Sequence, residues 1–477
     1  MFVITTFVLS SLLIILLSFF VERVSTGRLS RKLPPGSFGW PFVGESLSLL
    51  KATANGVPER FVIDRLAKHR ITSAFKTSIF GERVVFLCGP AANKFILSDK
   101  NEKFVPWWPG PSSKMLGPSI LTMKGEEGLL QRKILGTFFG PDNLREFVGV
   151  IDEVARKNIE YQWKVKEQVE TLVAVKAYVF ESACRLFVNV DDPRLFSRLS
   201  INFNIFLKGF FGLPINLPGT RFHLAKKAAN ALTRDFMMLV NQRRMELERK
   251  KALPKQDLLT HLLAQVDENG KFMPEIVISK NLLSLLFAGH ESTSCTLTLA
   301  IKYLGELPHV YEKVLAEQQE IAAAKPPGQL LDWEDVQKMR YTRNVVFEVL
   351  RLYPATNTVF REAIDDFEFT GYNIPKGWKI ACSASLVHKD PVLFSSPESF
   401  DESRFDNSGP APYTYLPFGG GPRMCLGKEL ACLEILVFLH HLVVNFKWDP
   451  AMPDERIRLN PVPTPAKGLP VRLLPRK

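Results

Sequence analysis

Phe418-Gly-Gly-Gly-Pro-Arg-Met-Cys425-Leu-Gly427 sets one cysteine in a glycine-rich run, two residues after an arginine and just ahead of a segment with helical character, Lys428 to Val444. These residue types in this order can hold a metal-bound thiolate. Gly419, Gly420 and Gly421 let the backbone turn tightly and come close to a flat ligand. Backbone N–H groups at the start of the following helix, with its positive dipole end, favour the thiolate over the thiol. Arg423 offers a fixed fork of donors for a carboxylate. A lone cysteine is ordinarily a small buried apolar residue. The five fixed positions of F-x-x-G-x-R-x-C-x-G, however, match by chance in a chain of this length only on the order of once in 10,000.

Two further clusters stand out. Ile276 to Gly305 is free of proline and largely apolar, with Pro308 just beyond its end, and so predicts a long helix through the core. Inside it lies Ala288-Gly289-His290-Glu291-Ser292-Thr293-Ser294. An acid and several hydroxyls in a buried helix cost stability unless they have partners or chemical work. His290 reads as a structural or surface residue rather than a metal ligand. Glu348 and Arg351 stand three apart on one face of a second predicted helix, Tyr341 to Leu352, which stops at Pro354. Arg404 follows in Pro397-Glu-Ser-Phe400-Asp-Glu-Ser-Arg404-Phe405.

Taken in order, these stretches resemble the cytochrome P450 family, and the resemblance covers essentially the whole chain after residue 22. It implies a mostly α fold with a smaller β region. It also implies haem b, iron protoporphyrin IX, with Cys425 as the axial iron ligand and Phe418 beside it in the cofactor-binding loop. Arg132, Arg361 and Arg423 match positions that bind propionates. The residue four before Arg132, often tryptophan or histidine in the family, is Gly128 here. The resemblance makes Glu291, with Ser292 or Thr293, the proton-delivering pair, although serine stands where threonine is usual. It makes Glu348, Arg351 and Arg404 a buried network supporting the cysteine loop. Substrate contacts are expected at Trp107, Trp108, Leu285, Ala288, Val359, Phe360 and Val462.

The elements that must position these residues can be read along the chain of 477 residues, which is 46% hydrophobic and 23% charged. Phe2 to Val21 carries no charge, long enough as a helix to span a bilayer, and Arg23, Arg28, Arg31 and Lys32 follow it. Residues 1–22 therefore read as a single transmembrane anchor with the remainder cytosolic, at the endoplasmic reticulum. Residues 23–45 read as a basic linker and proline-rich hinge, and residues 46–477 as one catalytic domain. Ser73 to Leu87 alternates around Gly81-Glu82 and predicts a hairpin. Val105 to Thr122 is too rich in proline and glycine for regular structure, and is expected as a loop over the substrate cavity. Lys124 to Phe139 is expected as helix. Leu199 to Leu213 is expected as a helical roof, followed by the turn-rich Leu213 to Arg221. Phe367 to Ala381 predicts strands with turns at Gly371 and Pro375 to Gly377, whereas Pro461 to Pro465 is expected as a turn and not a strand.

The net charge of +12 comes from scattered lysines and arginines without a nucleic-acid motif, and suits a membrane surface or an acidic protein partner. Six cysteines lack disulfide or zinc spacing, which fits a reducing compartment. There is no flavin or nicotinamide fingerprint. The resemblance therefore implies that electrons arrive from NADPH through a separate reductase. The hinge, the Trp107-Trp108-Pro109 loop, Leu213 to Arg221 and the cysteine loop together are similar to plant triterpenoid oxidases. The reaction expected is insertion of one oxygen of O2 into a C–H bond of a pentacyclic triterpene such as β-amyrin, with successive oxidation of one methyl to a carboxylate. The alternatives are a hydroxylase of taxanes, brassinosteroids or other plant terpenoid hormones, a haem-thiolate isomerase or dehydratase, and a non-catalytic haem protein.

Overall fold

Apolar periodicity near 3.6 dominates the sequence, and helices dominate the computed structural model, which describes residues 32–99, 103–249, 257–266, 270–459 and 462–476. The expected transmembrane segment, Phe2 to Val21, lies outside the described residues. Among those described, no helix is long and apolar enough to cross a membrane.

Six helices frame the site: α1 (Gly125–Phe138), α2 (Thr171–Phe187), α3 (Pro193–Phe210), α4 (Glu275–Glu306), α5 (Arg340–Leu352) and α6 (Lys428–Asn445). Local chemistry sets their ends. Glu126 and Glu127 occupy the first turn of α1, where the dipole favours negative charge. Pro193 opens α3, and the Asp192 carboxylate accepts from Arg194 N at 2.9 Å. Pro274 and Glu275 open α4, and the chain leaves it just before Pro308. Helix α6 is largely apolar and buried on every side from Cys432 to Val443, with Glu434, His440 and His441 the polar side chains within that stretch. It packs against α4 and α5, and α4 also packs against α2.

A five-stranded sheet flanks the helices, in the order Ala74–Ile79, Glu82–Leu87, Lys379–Ser383, Thr358–Ala363, Phe104–Pro106. Only the Glu82–Leu87 and Lys379–Ser383 pair is parallel. The predicted hairpin is present, and Phe80 and Gly81 both take positive φ at its two-residue turn. The hinge is stitched to this sheet: Lys76 N donates to Pro35 O at 2.9 Å.

Two stretches differ from expectation. Within Val105 to Thr122, Phe104–Pro106 pairs with Arg361–Ala363, and Gly110–Leu116 forms a helix. The cause is the position of the prolines: Pro106 ends an edge strand and Pro111 falls in the first helical turn, both places that need no N–H donor. Near the C-terminus, Pro463–Pro465 pairs antiparallel with Ile457–Leu459. A two-stranded ribbon has only edge positions, where proline is tolerated.

Candidate active site

The cysteine loop is closed by Cys425 N donating to Phe418 O at 2.9 Å and Met424 N to Gly421 O at 3.0 Å. Gly427 then caps α6, so the thiol sits beside the start of that helix. All six cysteines are free thiols, and Cys425 alone has an exposed side chain. Protein atoms nonetheless crowd around the thiol. Burial pushes its thiol up, against the Gly427 N–H, the Arg132 guanidinium and the Lys428 ammonium, which pull it down. The other five cysteines are buried.

Arg132, on α1, donates from Nε to Pro422 O at 3.1 Å and from Nη2 to Met424 O. It thus braces the loop on both sides of Arg423. Burial holds the Arg423 guanidinium down at about 10, and Arg361 and Arg132 push it the same way. Burial also lowers Arg361, with further repulsion from Arg132. Three cations therefore converge from α1, the Thr358–Ala363 strand and the cysteine loop. Among the described residues, neither Arg132 nor Arg361 has an ion pair. This donor set asks for an anion with more than one carboxylate next to a thiolate ligand. Haem meets that demand.

Gly128 follows from the same geometry. A Cβ there would stand 2.6 Å from Met123 O and 3.2 Å from Arg423 Nη2. Backbone and the Arg423 side chain fill the space that a larger residue needs. Gly128→Ala is expected to displace Arg423 and lower haem retention during dilution severalfold, as measured by haem content after gel filtration. Wild-type retention would refute it.

On α4 the helix runs unbroken through the polar cluster. Ser292 Oγ donates to Ala288 O one turn back, at 2.6 Å. Ala288 is exposed although most of its helix is buried, and nothing lies within 4 Å of a Cβ position on Gly289. Ala288 and Ser292 thus share an accessible stripe. Thr293 is buried and its hydroxyl has no hydrogen-bond partner. Of the two hydroxyls predicted beside the acid, Ser292 is the one within reach of a bound molecule. Glu291 turns toward α2, where Lys176 Nζ lies 2.7 Å from Oε1, and His290 Nδ1 approaches the same oxygen at 3.0 Å. Among the described residues, no hydrogen bond joins this turn to the cysteine loop. Packing of α4 against α5 and α6 relates the two.

Two members of the predicted supporting network, Glu348 and Arg351, are fully buried, and Arg404 is partly so. Arg351 donates from Nε to Glu348 Oε2 at 2.7 Å and from Nη2 to Oε1 at 2.8 Å, with both side chains 0% exposed. Arg404 Nε is farther, 3.5 Å from Oε1. Burial raises the Glu348 carboxyl, opposed by the two guanidinium groups. Sequence reasoning missed His388. Its Nδ1 donates to Arg351 O (3.1 Å), and its Nε2 accepts from Leu416 N (2.7 Å). Burial holds it neutral, with its pKa pushed down to about 3. One fixed tautomer therefore ties the α5 network to the approach of the cysteine loop.

The expected substrate residues divide into two groups. Trp107 packs on Phe360 (centroids 5.7 Å apart), next to Val359 on the sheet edge. Trp108 meets Phe210 of α3 and Phe287 of α4, whose rings are 4.5 Å apart. Leu285 is partly buried on α4, and Val462 is partly buried beside the Pro463–Pro465 strand. Phe206, Phe210, Phe211 and Phe287 form an aromatic wall that single-residue reading did not isolate, because two helices contribute to it.

The family model for cytochrome P450 matches residues 34–469. The chain is 46% identical to beta-amyrin 28-monooxygenase of Saponaria officinalis over 475 residues, covering 100% of this chain and 98% of that one. It is 47% identical over 446 residues to the beta-amyrin 28-monooxygenase of Medicago truncatula, covering 93% of each. A cyanobacterial cytochrome solved with retinoic acid superposes with a TM-score of 0.83 at 32% identity, covering 94% of this chain and 100% of that chain. The chain belongs to the cytochrome P450 family and is a monooxygenase.

Proposed function

We propose that this monooxygenase oxidises a pentacyclic triterpene of the β-amyrin type at carbon 28, by successive steps from methyl through alcohol and aldehyde to carboxylate. The observation that carries this reading is near full-length identity of 46–47% to several plant enzymes named for that reaction. Trp107, Trp108 and Phe211 keep accessible surface beside the buried rings of Phe206, Phe210 and Phe287, and apolar surface of that kind suits a large, rigid hydrocarbon.

Cys425 would hold haem iron, with Arg132, Arg361 and Arg423 on its propionates and Phe418 beside it. Bound haem supplies reductive activation of O2, its thiolate ligand favouring O–O cleavage. The remaining work falls to the chain. The aromatic residues orient the substrate and keep water out, Ser292 presents a hydroxyl along the accessible stripe of α4, and Glu291 handles protons behind it. One oxygen atom enters the C–H bond and the other leaves as water, with electrons from NADPH delivered by a separate reductase. The apolar N-terminal run would anchor the enzyme in the endoplasmic reticulum membrane, with the catalytic domain cytosolic. Exposed Trp40, Phe42, Leu213 and Leu217 support membrane contact.

The test is co-expression of the full chain with a plant reductase in a host making β-amyrin, α-amyrin and lupeol. A carbon-28 alcohol, aldehyde or acid is expected by mass spectrometry, and none in a Cys425→Ala control. Haem-loaded enzyme that leaves all three untouched would overturn the triterpene reading and turn attention to diterpenoid and steroid substrates.

A further inference from the structure

His290, expected to be structural or on the surface and not a metal ligand, is buried at 3% exposure, and both of its ring nitrogens face acceptors. Nε2 lies 3.2 Å from Lys176 O, and Nδ1 lies 3.0 Å from Glu291 Oε1. A neutral imidazole has one N–H, and a backbone carbonyl can only accept. Two arrangements satisfy both contacts: an imidazolium beside ionised Glu291, or a neutral ring beside protonated Glu291. They differ by one proton moved between Nδ1 and Oε1, with the bond to Lys176 O intact.

We propose that His290 is the proton reserve and positioning residue for delivery through Glu291: one proton shifts from Nδ1 to Oε1, the carboxylic acid so formed passes a proton forward, and Lys176 returns one to the pair. The ring cannot swing away. Phe203 of α3 and Phe180 of α2 stand edge-on to it, at 5.1 and 6.2 Å between centroids. Lys176 closes the circuit: its Nζ reaches the same oxygen at 2.7 Å, and its side chain is 30% exposed. It can therefore give a proton to the pair and take one back from water.

The groups facing the pair are Lys176 from α2 and Cys295 from α4 itself, whose thiol burial pushes up to about 12. Helix α3 contributes only the Phe203 ring among the described contacts. Burial alone would push the Glu291 carboxyl up, but the His290 and Lys176 donors outweigh it and hold it at about 2. An acid that strong stays ionised at neutral pH. It can pass protons on only if a neighbour keeps supplying them.

The inference rests on monooxygenase chemistry and not on the choice of triterpene, so the readouts are per NADPH consumed with any substrate that shifts the haem spectrum. The experiment uses full-length holoenzyme with its reductase, comparing wild type with His290→Gln, which keeps a donor but has no titrating proton. About tenfold less product per NADPH is expected, with peroxide rising to match. Haem content and substrate-induced spectral shift stay at wild-type values. Independently of turnover, the infrared band of protonated Glu291, identified by its loss in Glu291→Gln, appears at higher pH in His290→Gln than in wild type. Unchanged coupling together with an unchanged band overturns the proposal. If His290→Gln takes up no haem, Lys176→Met carries the test: its coupling must fall more at high pH than at low pH, and a wild-type pH profile rejects the idea.

Discussion

Replacing Arg351 by methionine lowers the unfolding free energy by about 3–5 kcal/mol and leaves most of the chain without haem. The magnitude follows from what remains. Glu348 is wholly buried and loses both short donors, keeping the Asp401 N–H at 3.0 Å and Arg404 at 3.5 Å. Burial already raises this carboxyl, so without Arg351 it either stays as an under-compensated charge or takes up a proton. Arg351 also donates to His388 O at 2.8 Å and Ser399 O at 3.2 Å, and its own carbonyl receives the His388 N–H. The loss therefore spreads to Leu416 and the approach of the cysteine loop. Arg404→Met removes the longer contact to Glu348, a bond to Ser396 O at 3.3 Å and a 3.8 Å approach to Asp401, all at a side chain 12% exposed, and should cost about 1 kcal/mol. Denaturant unfolding with haem content checks both. Equal effects of the two substitutions would show that distance and burial do not rank this network. A Glu348→Leu/Arg351→Met double variant should recover part of the loss, because replacing both charges removes the orphan.

The sequence was most informative where chemistry is encoded at short range. The cysteine loop and Glu348–Arg351 are each a few residues on one turn or helix face, so spacing alone conveys them. Helix α4 was legible to within a residue at each end, because proline is absent inside it and stands just outside. What spacing could not convey lies across the chain. Arg132 reaches the loop carbonyls 290 and 292 positions away, His388 reaches Leu416, and Lys176 reaches Glu291. Each has an ordinary local context and gains meaning only when helices pack. Gly128 shows the limit from the other side. Measured against the family it is a missing aromatic, whereas in the fold it is a position that Met123 and Arg423 leave no room to enlarge. Prolines misled where their count was weighed without their position, as at Gly110–Leu116 and Pro463–Pro465.

The second large effect separates two glycines that stand two positions apart in the loop. Gly419 and Gly421 both take positive φ, at 69° and 63°. By backbone preference alone, alanine at either should cost about 1–2 kcal/mol. Their surroundings differ. Nothing lies within 4 Å of a Cβ position on Gly419, whereas at Gly421 the Leu97 carbonyl oxygen would be 1.7 Å away and its carbon 2.7 Å. Those are backbone atoms at the end of the helix Pro90–Leu97, so no rotamer change relieves the clash. Either that helix end or the cysteine loop must move. The loop is the part with consequences, because Met424 N donates to Gly421 O and Cys425 N to Phe418 O. Gly421→Ala is therefore expected to lose those bonds, misplace the thiol and abolish the ferrous–CO absorption of a thiolate-ligated haem. Gly419→Ala should retain that absorption with only a small loss in unfolding midpoint. If both variants keep the thiolate spectrum, the loop tolerates displacement and close approach to Leu97 is not what requires glycine at 421. If both lose it, the turn conformation itself governs iron ligation. Only the split result assigns the two glycines different physical tasks, one to turn the chain and one to let two backbones meet.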